Sequence, residues 1–331
     1  MAELPILVDS TNDYQRSVQI KRSTRSIPDK LSSLGIETNV PLAPFTTFGI
    51  GGPADFLFRA KSAEDLVEIV SITKELEIPY FLMGRGANLL ISDLGFKGLV
   101  IICDISGIDF LDEGRVRTGS GVETYPTLIQ ATVNKGLSGL HHFAGIPSTV
   151  GGAMWQNLHF LSPAPERSRT IFIEEFVESA CVLSEENEIQ VVDKDYFKFS
   201  YDYSILHDRR DIVLSVIFHL EQEDPSKLRK VIKENLLWRK TRHPDLQKYG
   251  SAGSIFKKIQ DVGAGRLIDT CGLKGSIHGG AQIFENHANI IINRGDATAS
   301  DVLALIDLAQ TTVAKEQGFD LETEITFVGE F

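Results

Sequence analysis

The sequence predicts an α+β protein of more than one domain, and three observations carry that prediction. The chain has 331 residues, more than one small core organises. Apolar runs of period two are mixed with longer runs at helical spacing. A charged stretch with a proline, EQEDPSK at 221–227, has the composition of a linker between a longer first part and a shorter second part.

The elements follow in order. Residues 1–38 are polar, and QIKRSTRSIPDK keeps no period, which predicts an extension that is either flexible or a loosely docked arm. Ser62-Ala63-Glu64-Asp65 has the pattern of a capping box. Leu66, Ile69, Val70, Thr73 and Leu76 then recur at helical spacing, and Pro79 ends the helix. Tyr80–Met83 reads as a strand leading into the loop GRGANLLISD, and Leu99–Ile102 as a second strand. Leu128, Ile129 and Val133 mark a helix that stops at Gly136. Residues 212–220 alternate as a strand does. Beyond the linker, Leu228, Val231, Ile232, Leu236 and Leu237 share a helix face. GSAGSIF and the glycine-rich GLKGSIHGGAQ follow, then a strand at Ile290–Ile292. A long helix starts near Ser300 and stops at Gly318, and a last strand lies in LETEITFVG.

Composition removes several classes of function. A formal charge of −12 argues against a broad nucleic-acid surface, though a local basic pocket for a small anion remains open. No stretch reaches the roughly 18 apolar residues of a membrane span. The N-terminus lacks the basic start and apolar run of a secretory signal. The three cysteines, Cys103, Cys181 and Cys271, are far apart, which predicts reduced core thiols in a cytoplasmic protein, with no disulfide framework and no metal site.

Four stretches have chemistry to offer. In GRGANLL (84–90), Gly84 and Gly86 allow a tight turn whose amides can converge on a phosphate. Leu89 stands where a dinucleotide fingerprint needs its third glycine, so that fold is disfavoured. AGIPSTVGGAMWQN (144–157) crowds small residues around Pro147, which suits either a bend or close approach to a flat ligand, with the Asn157 amide nearby. WRKTRHPDLQKYGSAGS (238–254) gathers Arg239, Lys240, Arg242 and Lys248 ahead of a serine, with Lys257 and Lys258 after it. Those cations suit a diphosphate or a carboxylate, or simply a solvated helix end. In GSAGSIF itself, Ser251 has the wrong spacing for a nucleophile elbow, and Ser254 reads first as a turn feeding a strand, with a reacting group as the alternative.

Together, TTFGIGGPAD (46–55), GRGANLLISDLGFKG (84–98), GIPSTVGGA (145–153), AGSIFKK (252–258), AGRLIDTCGLKG (264–275), GGA (279–281), HA (287–288) and ETEITFVG (322–329) resemble the UDP-N-acetylenolpyruvoylglucosamine reductase family. The resemblance runs in order from about residue 39 to residue 329. It implies a two-subdomain FAD-binding fold of the PCMH or vanillyl-alcohol-oxidase type, followed by a C-terminal α+β substrate-binding domain. The boundaries would be an extension at 1–38, an FAD-binding domain at 39–220 (subdomains about 39–104 and 105–220), and a substrate domain at 221–331. It implies a cytoplasmic, monomeric flavoprotein of peptidoglycan synthesis. Such an enzyme reduces UDP-N-acetylglucosamine enolpyruvate to UDP-N-acetylmuramate with NADPH, through non-covalent FAD.

The resemblance also assigns residues. Thr47, Gly84, Arg85, Gly86, Ala87, Asn88, Leu89, Gly121, Gly145, Ile146, Pro147, Ser148, Gly151, Gly152 and Asn157 would hold the cofactor. Ser254 would give a proton to the carbanionic carbon, and Glu324, with Glu322 as its rival, would hydrogen-bond the substrate carboxylate while protonated. Tyr201, Arg242, Lys248, Tyr249 and Lys258 would line the substrate wall.

Two departures stand out. The family arginine of a Y-R-x-S segment is Asp202 here, in FSYDYSIL, and N-A-G-A-Y-G is replaced by NLHFLSPAPERSRT (157–170). The expectation is that they compensate, with Arg167 or Arg169 supplying the missing guanidinium. The same departures motivate an alternative, a non-catalytic paralogue that binds flavin and UDP-sugar. An oxidase of the same fold would leave the C-terminal blocks without a purpose.

Overall fold

The computed structural model of the protein describes Leu31, residues 34–259 and residues 262–331. The extension expected over 1–38 therefore lies almost wholly outside the described residues. Met1–Gly35 and Ile36–Phe331 are separate units, and the architecture is that of the second.

Its first layer is a four-stranded sheet in the order Glu37–Pro41, Pro53–Ala60, Phe96–Cys103, Tyr80–Met83. Phe96–Cys103 pairs in parallel with both of its neighbours. It is buried from Gly98 to Cys103, which is why it reads as one continuous apolar run. The helix Ala63–Glu75 makes the crossover this parallel pairing needs. The capping box expected at its start is present: Ser62 Oγ accepts from the Asp65 N–H, and the Asp65 carboxylate accepts from the Ser62 N–H. Leu66, Ile69, Val70 and Thr73 form its buried face.

A second, antiparallel sheet has the order Ile189–Asp193, Val177–Leu183, Ile212–His219, Arg115–Gly119, Ile108–Phe110. Val116, Val182, Val216 and Phe218 are fully buried in its core. The helix Val150–Gln156 adds Val150, Ala153 and Met154, and the helix Pro225–Arg242 adds Leu228, with Ile232 and Trp238 partly covered. The linker expected at 221–227 is not free chain. Glu221–Gln222 pairs with Leu137–Ser138, Asp224 caps the helix that follows, and Pro225 occupies its first turn, where a missing N–H costs nothing.

The third core lies under a three-stranded meander of Ile277–His278, Ala281–Ile283 and Ile291–Asn293. The helices Ala264–Thr270 and Ala299–Gln317 pack there. The long helix begins one residue before Ser300, with a Thr298/Asp301 capping box, and ends at Gly318 in the left-handed conformation (φ 72°). Phe48, Ile50 and Leu90, from early in the chain, belong to this same core. The closing strand Thr326–Val328 runs parallel to Leu89–Ile91. The end of the chain is thus hydrogen-bonded to the exit of the glycine loop at 84–90.

Candidate active site

Four segments that are remote in sequence meet along this seam. The 84–90 loop leaves the strand Tyr80–Met83 and turns through Gly86 at φ 59°. A Cβ at Gly86 would lie 2.5 Å from Phe45 O, and one at Gly84 would lie 2.3 Å from Thr149 Oγ1. The loop is therefore pressed between residues 45–47 and the start of the 149–156 segment. Thr47 joins it to the serine segment: the Thr47 N–H donates to Gly86 O (3.2 Å), its hydroxyl donates to Ser251 O (2.7 Å), and Ser251 N–H donates back to Thr47 O (2.9 Å). The expected cofactor residues Thr47 and 84–89 do come together with Ser148 and Thr149.

The serine segment is docked by backbone contact. A Cβ at Gly250 would stand 2.0 Å from Phe48 O. Gly250→Ala should therefore separate the segment from residues 48–49 and cost about 1–3 kcal/mol of stability, as overpacking does, readable by chemical denaturation. Ser251 is buried and accepts from the Gly253 N–H (3.1 Å), so its role is to shape the turn. Ser254 follows, half-buried, in a bridge with Ile290. Ile255 and Phe256 are anchored on Asn289, through its backbone carbonyl (2.9 Å) and its side-chain amide.

Glu324 lies beside Ser254. Its N–H donates to Ile255 O (2.8 Å), and Phe256 pairs with Thr323. Asn88 fixes the other side: its amide donates to Glu324 O (3.2 Å), and Asn88 O accepts from the Thr326 N–H (2.9 Å). The loop expected to bind cofactor and the acid expected to meet substrate are thus held by one side chain. Between the two rival acids the structure discriminates. Glu322 is 65% exposed and ion-paired with Lys257. Glu324 is half-buried, and burial together with the nearby Asp202 charge pushes its carboxyl up to about 8, against the opposing pull of Lys257.

Tyr201 faces the same charges. Burial, then Asp202 and Glu324, push its phenol up. Asp202 has a side chain only 2% exposed and a left-handed backbone (φ 54°). Burial raises its carboxyl, and His159, Gln156 and Lys257 oppose that rise. Lys257 thus opposes the rise of both acids, and His159 lies against Asp202 alone.

The arginines expected to compensate lie elsewhere. The strands His159–Ser162 and Arg169–Phe172 pair as a ribbon. Arg167, between them, donates to Leu161 O (2.9 Å) and Glu234 O (3.4 Å) and stacks 4.7 Å over the Trp238 ring. Arg169 is exposed and ion-paired with Glu175 (2.8 Å). Arg242 lies over the same indole as Arg167, also at 4.7 Å. Arg239 is near Gly145, whose Cβ would lie 3.1 Å from Arg239 Cδ. Burial lowers the Arg239 guanidinium to about 10, and burial with Arg239, His287 and Arg242 lowers His243 to about 3. This is a crowd of like charges short of carboxylates, the electrostatic form of an anion site.

Two other assignments change in character. Asn157 is completely buried as the left-handed cap of the helix Val150–Gln156. Its amide donates to Ser200 O (3.0 Å) and accepts from the Glu174 N–H (3.4 Å), so it braces the site from behind instead of facing a ligand. Arg85 is ion-paired with Glu123 (2.7 Å) across to the strip carrying Gly121. A Cβ at Gly121 would lie 2.5 Å from Ile105 N, and one at Gly151 would lie 3.3 Å from Ser120. Gly145 is left-handed (φ 86°), Ile146 packs on the second core, and Pro147, Ser148 and Gly152 continue that strip. Lys248 and Lys258 are exposed and Tyr249 is 37% exposed, on the rim. Sequence reasoning named Lys257 among the cations flanking the serine without giving it a role, and did not single out His159. Lys257 alone carried a signal, since it follows Ser254 in the same stretch.

Comparison with known proteins places this geometry. The profile for the UDP-N-acetylenolpyruvoylglucosamine reductase C-terminal domain matches residues 244–328, and an FAD binding domain profile matches residues 54–163. The UDP-N-acetylenolpyruvoylglucosamine reductase of Moorella thermoacetica is 38% identical over 90% of this chain and 94% of its own length. That of Bacillus subtilis is 36% identical over 88% and 93%. The crystal structure of the reductase from Thermus caldophilus, 32% identical, superposes with a TM-score of 0.72 over 88% of this chain and 98% of that one. With those likenesses across nearly the whole length, the chain belongs to the UDP-N-acetylenolpyruvoylglucosamine reductase family.

Proposed function

We propose that the chain reduces the enolpyruvyl ether of UDP-N-acetylglucosamine to UDP-N-acetylmuramate, with FAD as cofactor and NADPH as reductant, in peptidoglycan precursor synthesis. The observation that carries this reading is the seam itself. Asn88 ties the glycine loop to Glu324, and Thr47 ties the same loop to the segment of Ser254.

The residues present fit a flavin dinucleotide. Gly84 and Gly86 let the loop turn tightly against Thr149 and Phe45, where a Cβ would collide with protein, and the 54–163 match spans that loop, Gly121 and residues 145–152. Thr47, residues 84–89 and residues 145–152 would hold it. Bound FAD would accept a hydride from NADPH and deliver one to the terminal carbon of the substrate double bond.

The chain's own part is placement, charge and a proton. The Ser254 hydroxyl gives its proton to the carbon next to the carboxylate; a weak acid suffices there because that carbon is strongly basic. Glu324, protonated because burial and Asp202 disfavour its charged form, donates to the carboxylate oxygens as they gain charge. Tyr201 lies beside the same acids, and the guanidiniums of Arg167 and Arg242 over Trp238, with Arg239 over Phe160, support binding of the substrate diphosphate. Lys248, Tyr249 and Lys258 form the rim. The domain boundaries that accompany this reading are 39–220 for cofactor and 221–331 for substrate, and the protein acts as a cytoplasmic monomer. Among the described residues no helix is long and apolar enough to cross a membrane.

The test is a coupled absorbance assay on the yellow holoprotein. NADPH should disappear only when the enolpyruvyl sugar nucleotide is added. A protein that binds FAD and the sugar nucleotide but never consumes NADPH would be the non-catalytic paralogue instead.

A further inference from the structure

We propose that His159 and Asp202 act as a pair at the substrate carboxylate, His159 presenting the positive charge and Asp202 holding its ring and its proton in place. This rests on the reductase reading, and it gives a purpose to a side chain that otherwise has none. The Asp202 side chain is 98% removed from solvent, with Gln156 beside it but no well-formed hydrogen bond to either carboxyl oxygen. Buried carboxylates left in that state are rare and costly, and a left-handed aspartate adds strain. Such a residue persists where a neighbour answers its charge.

That neighbour is His159. Its Nδ1 lies 3.6 Å from Asp202 Oδ1 and 3.4 Å from Asn157 O. Both are acceptors, so a ring hydrogen belongs on Nδ1. The ring is 21% exposed, so it is not sealed from solvent. Tyr201 (4.6 Å between centroids) and Phe172 (5.2 Å) fix its plane. The charged and titratable groups around the pair are Asp202 and Tyr201 on one segment, and Lys257 and Glu324 on the two strands that carry the site. Lys257 is already engaged by Glu322 at the surface. His159 is then the group left to meet an arriving carboxylate. It lies on the unusual 157–170 segment, so the two sequence departures, Asp202 and that segment, do meet, through a histidine and not through an arginine.

The test is equilibrium binding to the oxidised holoenzyme without NADPH, read by the flavin absorbance change. The two ligands are UDP-N-acetylglucosamine enolpyruvate and UDP-N-acetylglucosamine, which lacks the carboxylate. Wild type should prefer the first. His159→Gln should lose roughly tenfold or more on the carboxylate ligand and nothing on the other. Asp202→Asn should lose part of the same preference, and His159→Arg should restore it. A purely structural role would weaken both ligands alike. Preference that is intact in His159→Gln overturns the inference while leaving the reductase reading standing. A wild-type enzyme whose reduced flavin is not reoxidised by the enolpyruvyl nucleotide removes both.

Discussion

Replacing Ser254 with alanine should leave flavin reduction by NADPH at its wild-type rate and slow reoxidation by the enolpyruvyl sugar nucleotide about 10²–10⁴-fold, the worth of a placed general acid. The two half-reactions separate in a stopped-flow instrument because the oxidised and reduced flavin differ in colour. The asymmetry follows from geometry. Ser254 is not part of the glycine cradle, and its segment is held by Thr47, Phe48 and Asn289 through neighbouring residues. Removing one hydroxyl leaves those contacts intact. Equal slowing of both steps would mean that the serine shapes the flavin site and gives up no proton.

Glu324→Ala should cost about 10²–10³-fold in the same reoxidation step, the usual loss for a donor to developing negative charge. Glu324→Gln keeps an N–H donor and should lose less. Its pH behaviour is the sharper signature. In wild type the carboxyl is raised to about 8. It stays protonated and able to donate below that pH, so the rate should fall as pH rises through about 8, and the glutamine variant should lack that limb. Stability carries the same sign. A carboxyl raised by burial is protonated in the folded state at pH values where the unfolded chain has already released the proton. Folding is therefore progressively penalised from the ordinary glutamate range up to about 8, and Glu324→Gln should flatten that slope in denaturation curves. An unchanged alkaline limb in Glu324→Gln would assign it to another group.

Much of the fold was legible because its signals are local. Ser62 and Asp65 sit three apart and cap a helix without help from elsewhere. Gly318 stops the last helix because only its φ suits the position cheaply. The candidate proton donor was legible only through the order of several small-residue blocks, since GSAGSIF alone reads first as a turn. The seam was not legible. Thr47 and Ser251 are 204 positions apart, and Asn88 and Glu324 are 236 apart, so no periodicity or spacing records either bond. The choice of Glu324 over Glu322 also waited on burial, since two residues on one strand share their composition and differ only in what covers them. Arg167 was expected at the acid site from its place in the altered segment. The ribbon pairing of His159–Ser162 with Arg169–Phe172 carries it to Trp238 instead and leaves His159 beside Asp202. Residues 221–227 misled for a different reason. Asp, Pro and charge mark a linker and a helix start equally, and here Asp224 and Pro225 start a helix.

A crystal structure of the holoenzyme with the enolpyruvyl sugar nucleotide bound tests the central claim most directly. It should place Ser254 Oγ about 3 Å from the carbon that receives the proton, across the double bond from the flavin ring, with Glu324 on the carboxylate. A serine hydroxyl remote from that carbon, with the double bond lying against other side chains, would contradict the account.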